Sequence, residues 1–175
     1  MPTIALAGRT VSLYPLTMIV PERELGWDSL LAPREVSLAR ADSLLARAVT
    51  ERAPEINWVL PETLRRTARQ APGMFQNPDQ MGTAVLRNPG FTEVPDPLRS
   101  QLRLLTGAAG DRLAMIPASL VFVRDETGGG RAELTMVLAD VRTGAVTWRS
   151  TARAVGDDPW DALGRALDTI LPVMP

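Results

Sequence analysis

The sequence contains no cysteine, no histidine and no lysine. Without cysteine there is no disulfide, thiol nucleophile or thiolate metal site, and no cysteine to carry a lipid anchor. Without histidine the commonest general base and the commonest transition-metal ligand are missing. Without lysine there is no Schiff-base chemistry and no P-loop lysine, and all 19 basic residues are arginine. A replacement that complete points to GC-rich coding rather than to one anion site, although arginine suits bidentate anion recognition. Aromatic residues make up only 5%, too few to interleave with arginine as a base-stacking surface. No run of ~18 apolar residues occurs, so nothing reads as a membrane-spanning helix. The opening MPTIALAGR lacks the charged start and apolar core of a secretory leader. The expectation is a cytoplasmic protein, or a periplasmic or envelope-associated one whose leader has been removed.

The composition is otherwise ordinary for a globular chain: 45% hydrophobic, 22% charged, net charge -1 over 175 residues. That length predicts a single domain, 1–175, burying roughly two-thirds of its unfolded surface. The charge balance gives no global reason to seek nucleic acid or an anionic membrane, though local patches can still form.

The clearest stretch is Leu113–Ala154. LAMIPASLVFV, the turn RDETGGG, RAELTMVLADV, the turn RTGA and VTWRSTARA read as three strands joined by two hairpins. The middle strand alternates, with Ala132, Leu134, Met136 and Leu138 opposite Glu133, Thr135 and Val137. In the third, Val146, Trp148, Ser150 and Ala152 oppose Thr147, Arg149 and Thr151. The first is apolar on both faces and should be central. Upstream, 10–20 predicts a strand with a bulge or edge position at Pro15. The loop 21–33 packs down through Trp27 and Leu30–Leu31. Residues 34–53 predict a helix with Val36, Leu38, Ala41, Leu44, Leu45, Ala48 and Val49 on its apolar side. INWVL (56–60) predicts a short buried strand, and 61–71 a helix opened by Pro61. Strand, helix, strand reads as a βαβ unit with parallel strands. Residues 72–95 form a Pro- and Gly-rich excursion. Asn77-Pro78, Asp96-Pro97 and Asp158-Pro159 share one helix-start signature, the last two opening 97–109 and 159–171. The fold class is α/β (α+β): one sandwich, with a mixed sheet of about five strands built from the βαβ unit and the antiparallel meander, covered by helices.

No stretch carries a catalytic signature. The glycines at 128–130 join two strands and read as a hairpin, not a phosphate loop. Asp125–Glu126, Asp157–Asp158 and Glu22/Glu24 read as turn and cap residues, and none has calcium-loop spacing. Asp140 reads as a turn initiator. No G-x-S-x-G occurs, and a hydroxyl would lack its usual base. No cofactor and no metal are expected. Arg65, Arg66 and Arg69 on one predicted helix, with Arg99 and Arg103 on another, form the candidate binding cluster for a phosphate, an acidic polymer or an acidic partner. Solvated outer faces paired with Glu51, Glu55 or Glu62 are the plainer reading. Trp58 and Trp148 read as core, and Phe75 and Phe91 as anchors of the excursion.

Asp140, Val141, Thr143, Gly144, Val146 and Trp148 stand in the hairpin LADVRTGAVTWRSTARA, which a helix and an apolar strand precede and DDPWDALGRALDTIL follows. This grammar resembles the α/β domain shared by the TolB N-terminal domain, the penicillin-binding-protein activator LpoB and the curli-secretion lipoprotein CsgG. It spans mainly 97–171, and 10–71 is similar to the same domain's first half. The resemblance implies a non-enzymatic binding or scaffold module of the bacterial cell envelope that works through protein contacts. Two alternatives stand beside it: an enzyme or binding protein for a phosphorylated or acidic ligand held by the Arg cluster, and a cytosolic structural oligomer subunit using an open sheet edge.

Overall fold

The structure, a computed structural model, describes residues 1–171. In chain order the elements are α1 (Thr3–Leu6), β1 (Thr10–Leu13), β2 (Ile19–Pro21), α2 (Arg34–Arg52), β3 (Asn57–Val59), α3 (Pro61–Gln70), α4 (Leu98–Ala108), β4 (Leu113–Arg124), β5 (Gly130–Asp140), β6 (Val146–Gly156) and α5 (Pro159–Ile170). The sheet runs β3-β1-β4-β5-β6, and β2 pairs with β4 further along the side that β1 occupies. β1 lies parallel to β3 and β4, and β4, β5 and β6 form an antiparallel meander. The predicted βαβ unit and meander are therefore present in one mixed sheet, five strands across.

The segment 10–20 is not one strand. Pro15 has no N–H to give to the ladder, and the Leu16 N–H turns away to Asp42 Oδ1 at 2.8 Å. The chain rejoins β4 where Leu120 N–H donates to the Met18 carbonyl. The predicted bulge at Pro15 is thus a break long enough to separate β1 from β2.

β4 is central and apolar on both faces. Leu113, Met115, Leu120 and Phe122 face one cluster, which α2 and α5 cover with Leu45, Val49, Leu163 and Leu167. Ala114, Ile116 and Ala118 face the other, covered by Leu64 of α3, Leu102 and Leu105 of α4, and Met81, Leu86 and Val94 of the excursion. Each fully buried Leu, Ile or Phe here contributes about 1.5–3 kcal/mol over its exposed state. The pairing shifts between Pro117 and Ser119, where β4 holds one residue more than β5. A strand's side chains alternate, so that extra residue exchanges the faces. Odd positions before Ala118, and even positions after it, point at the α2–α5 side.

A second shift lies between Leu138 and Ala139, and it makes Thr147 the extra residue on β6. It corrects one expectation: Val146 and Trp148 do not share a face. Val146 packs against the α3–α4 cluster, and Trp148 against the α2–α5 cluster. Trp148 and Trp58 are half-buried rather than interior, and β3 is a half-buried edge strand because no strand among the described residues pairs beyond it. Val36, placed on the apolar side by periodicity, is 61% exposed. Trp27 is buried against Phe122, ring centres 5.4 Å apart, and so pins the 21–33 loop.

The helix-start signature holds at two of its three positions. Asn77 accepts from Asp79 N, and Asp158 from Trp160 N and Asp161 N. At α4 the cap position falls on Pro97, and Asp96 Oδ1 instead accepts from the Ser100 hydroxyl. Tyr14, fully buried between β1 and α4, donates to the Leu102 carbonyl and shares a 2.9 Å bond with Thr106 Oγ1.

Candidate functional site

The five arginines singled out in the sequence do not converge on one pocket. Arg65 is the best held. Its Nε and Nη2 grip Asp79 at 2.9 and 2.8 Å, and Nη2 also donates to Asp42. Asp42 is buried on α2 and takes the Leu16 N–H on its other oxygen. One guanidinium thus ties α2, α3 and the excursion to the break between β1 and β2. Asp79 and then Asp42 hold Arg65 protonated above its ordinary value, against the opposing effect of its burial. Burial raises the Asp42 carboxyl above its usual range more than the Leu16 amide and Arg65 lower it.

Arg69 pairs at 3.2 Å with Glu62, both exposed. Arg99 serves the hairpin: it donates to the Arg142 carbonyl, and its side chain lies over Gly144, where a Cβ would come within 2.7 Å of Nε. Gly144 has φ +84°, a conformation that glycine adopts without steric cost. Asp140 accepts from Arg142 N and Thr143 N, so it does initiate the turn, and its second oxygen pairs with Arg112. Arg66 and Arg103 are exposed and have no hydrogen-bond or ion-pair partner among the described residues.

A groove of about 690 Å³ lies between α2 and α3. Leu38, Ala46, Leu60 and Pro61 give its apolar lining, while Glu35, Asp42, Glu62 and Asp79 face Arg34 and Arg65. Arg34 donates to the Thr17 carbonyl. On the far side of the Arg65–Asp79 pair lies a smaller pocket of about 360 Å³, lined by Arg69, Phe75 and Gln80. Among the described residues no group of Asp and Glu gathers in a way that could hold a metal ion.

Sequence reasoning passed over Asp42. Its signal was present: Leu38, Asp42, Leu45 and Val49 lie on one helical stripe, and a carboxylate in an apolar stripe demands a buried partner.

A second feature is the β6 edge. Arg149 donates to the carbonyls of Leu86, Pro89 and Phe91, and Val146 N–H to Thr92, so the excursion covers the start of the strand. Beyond Arg149, among the described residues, no backbone hydrogen bond reaches the outer side of β6. A polar groove of about 470 Å³ runs beside this stretch, lined by Arg87, Ser119, Glu133, Thr135, Thr151 and Arg153. No described helix is long and apolar enough to cross a membrane.

No family model matches the chain, and no curated protein matches it. Solved structures of similar fold include the LpoB C-terminal domain from Salmonella enterica, at TM-score 0.49 and 15% identity, covering 85% of this chain and 83% of that one. The PelC dodecamer from Paraburkholderia phytofirmans matches at TM-score 0.43 and 14% identity, over 94% of this chain and 84% of that one. Lipoprotein GNA1162 from Neisseria meningitidis matches at TM-score 0.39 and 13% identity, over 84% and 80%. LpoB is also among the proteins whose domain the D-x-x-T-G hairpin of this chain resembles.

Proposed function

We propose that this protein is a non-enzymatic binding or scaffold module of the bacterial cell envelope, acting through protein–protein contacts. The observation that carries the contact is the open edge of β6 from Ser150 to Val155. Backbone N–H and C=O groups left along a sheet edge form a template for another strand. The envelope setting rests on the hairpin from Asp140 to Trp148. A photo-crosslinking residue at Arg153, in the full-length product of the native gene, tests the contact. A discrete protein adduct there, absent when the same residue replaces Arg47 on α2, is expected. Equal labelling at both positions, or none at Arg153, refutes it. Fractionation of the same cells tests the setting, and recovery in the cytosol alone refutes that part.

A homo-oligomer joined through this edge is the second reading, and the same unpaired strand favours it. Charge counts against it: antiparallel self-pairing centred on Thr151 sets Arg149 of each copy against Arg153 of the other. An acidic or phosphorylated ligand is a third, resting on the unpartnered Arg66 and Arg103 on the adjoining helices α3 and α4.

A further inference from the structure

The groove between α2 and α3 has an apolar lining and an unbalanced charge. Four carboxylates border it against two guanidiniums. Arg65 is engaged by Asp42 and Asp79, and Arg34 donates to the neutral Thr17 carbonyl and keeps its charge, so the lining still carries two more carboxylates than guanidiniums. Glu35 has no side-chain partner among the described residues, and Glu62 is met only by the exposed Arg69 and, at 3.9 Å, by Arg65. The groove therefore presents negative charge above Leu38, Leu60 and Pro61. The groove is open to solvent and has a volume of about 690 Å³.

Long basic side chains fit this description. Their methylene stems cover apolar surface while their heads seek carboxylates. A phosphate or an acidic peptide would meet the opposite: an anion beside Glu35 and Glu62, with Arg65 already engaged.

We propose that the α2–α3 groove is a docking slot for a basic segment of a partner protein. One Arg or Lys side chain of that segment lies along Leu38, Leu60 and Pro61 and sets its charge against Glu35 and Glu62. This surface is separate from the β6 edge, so the slot stands or falls independently of strand pairing there.

The test uses the full chain and a fluorescently labelled peptide of alternating leucine and arginine, read by anisotropy at physiological ionic strength. The same peptide with glutamate for arginine is the counter-probe. Saturable binding of the basic peptide alone is expected. Glu35→Arg with Glu62→Arg, at two exposed positions, should weaken it about tenfold or more. Ser43→Trp, which narrows the groove without changing charge, should do the same. Glu126→Arg, in the distant β4–β5 turn, should leave it unchanged. Thermal melts of each variant confirm that the fold is intact. No saturable binding overturns the proposal, as does unchanged affinity in the double reversal or in Ser43→Trp. An equal loss with Glu126→Arg overturns it too, since the attraction is then general. Displacement of the peptide by spermidine at equal charge concentration overturns the partner segment in favour of a small polyamine.

Discussion

Replacing Arg65 with alanine should be felt chiefly through Asp42. The substitution removes the guanidinium from a carboxylate whose side chain is 7% exposed and leaves it with the Leu16 amide alone. Breaking a buried pair by removing one partner costs about 3–5 kcal/mol. The Arg65 side chain is itself 21% exposed, so water can reach part of the vacated space, and the Leu16 N–H remains. About 2–3 kcal/mol at neutral pH is therefore expected, at or below the floor of that range. The Asp79 carboxylate is 42% exposed and, once freed, is hydrated at little cost.

The dependence on pH distinguishes a stranded charge from lost packing. Burial already raises Asp42 above its usual carboxyl range, and loss of Arg65 raises it further. With the folded value above the unfolded one, the folded state binds the extra proton. Its stability relative to the unfolded chain therefore increases as pH falls from neutral through the folded value. The deficit of Arg65→Ala should shrink on acidification, with a slope of at most about 1.4 kcal/mol per pH unit. Adding Asp42→Asn removes the charge but keeps an oxygen for Leu16 N–H, and should recover about 1–2 kcal/mol at neutral pH. Urea unfolding followed by tryptophan fluorescence, with equal slopes across variants, measures all three. A deficit under about 1 kcal/mol, a deficit flat in pH, or a double variant no more stable than Arg65→Ala would refute the reasoning.

Tyr14 is the single tyrosine, and burial raises its hydroxyl above the ordinary value. The folded state therefore keeps a proton that the unfolded state loses above pH ~10, so its stability falls there. Phenolate absorbance should appear only together with alkaline unfolding, and a reversible midpoint near 10 in the folded protein contradicts the burial. Tyr14→Phe should cost about 1–2 kcal/mol in urea, through the unsatisfied Thr106 and Leu102 groups. Trp148→Ala should cost about 2 kcal/mol, short of the ~3–5 of an interior tryptophan, because the ring is half-buried; a loss at the upper value would mean the ring is fully enclosed. Gly156→Ala should cost about 3 kcal/mol, since its Cβ would sit 2.3 Å from the Ala162 backbone nitrogen where α5 crosses β6. An unchanged melting temperature would show that α5 can shift.

What the sequence revealed was local. The stripe of α2 apart from Val36, the alternation in β5 and the glycine turns depend on neighbours a few residues apart, and each formed where the local pattern placed it. Pro15 announced trouble in the first strand, but not that Asp42, in another element, would take the next amide. The two bulges cannot be read from alternation because Ala118 and Thr147 are chemically unremarkable strand residues, and Val146 went to the other face as a result. Arg65 was visible as a charge. Its partners lie 23 and 14 residues away in sequence, and whether a guanidinium is free or spent depends on such distant pairings.

The bulge at Ala118 makes β4 a strand governed by its count. Pro117 pairs with Met136 and Ser119 with Thr135, so losing Ala118 alone would leave every later pairing in place, with Leu120 and Phe122 still beneath α2 and α5. The strand thus has one place where its length can change by a residue at little cost to the interior. Farther along it has none: deleting Val121 would carry Phe122 to the opposite side, because in regular pleat a frame error passes to every following residue.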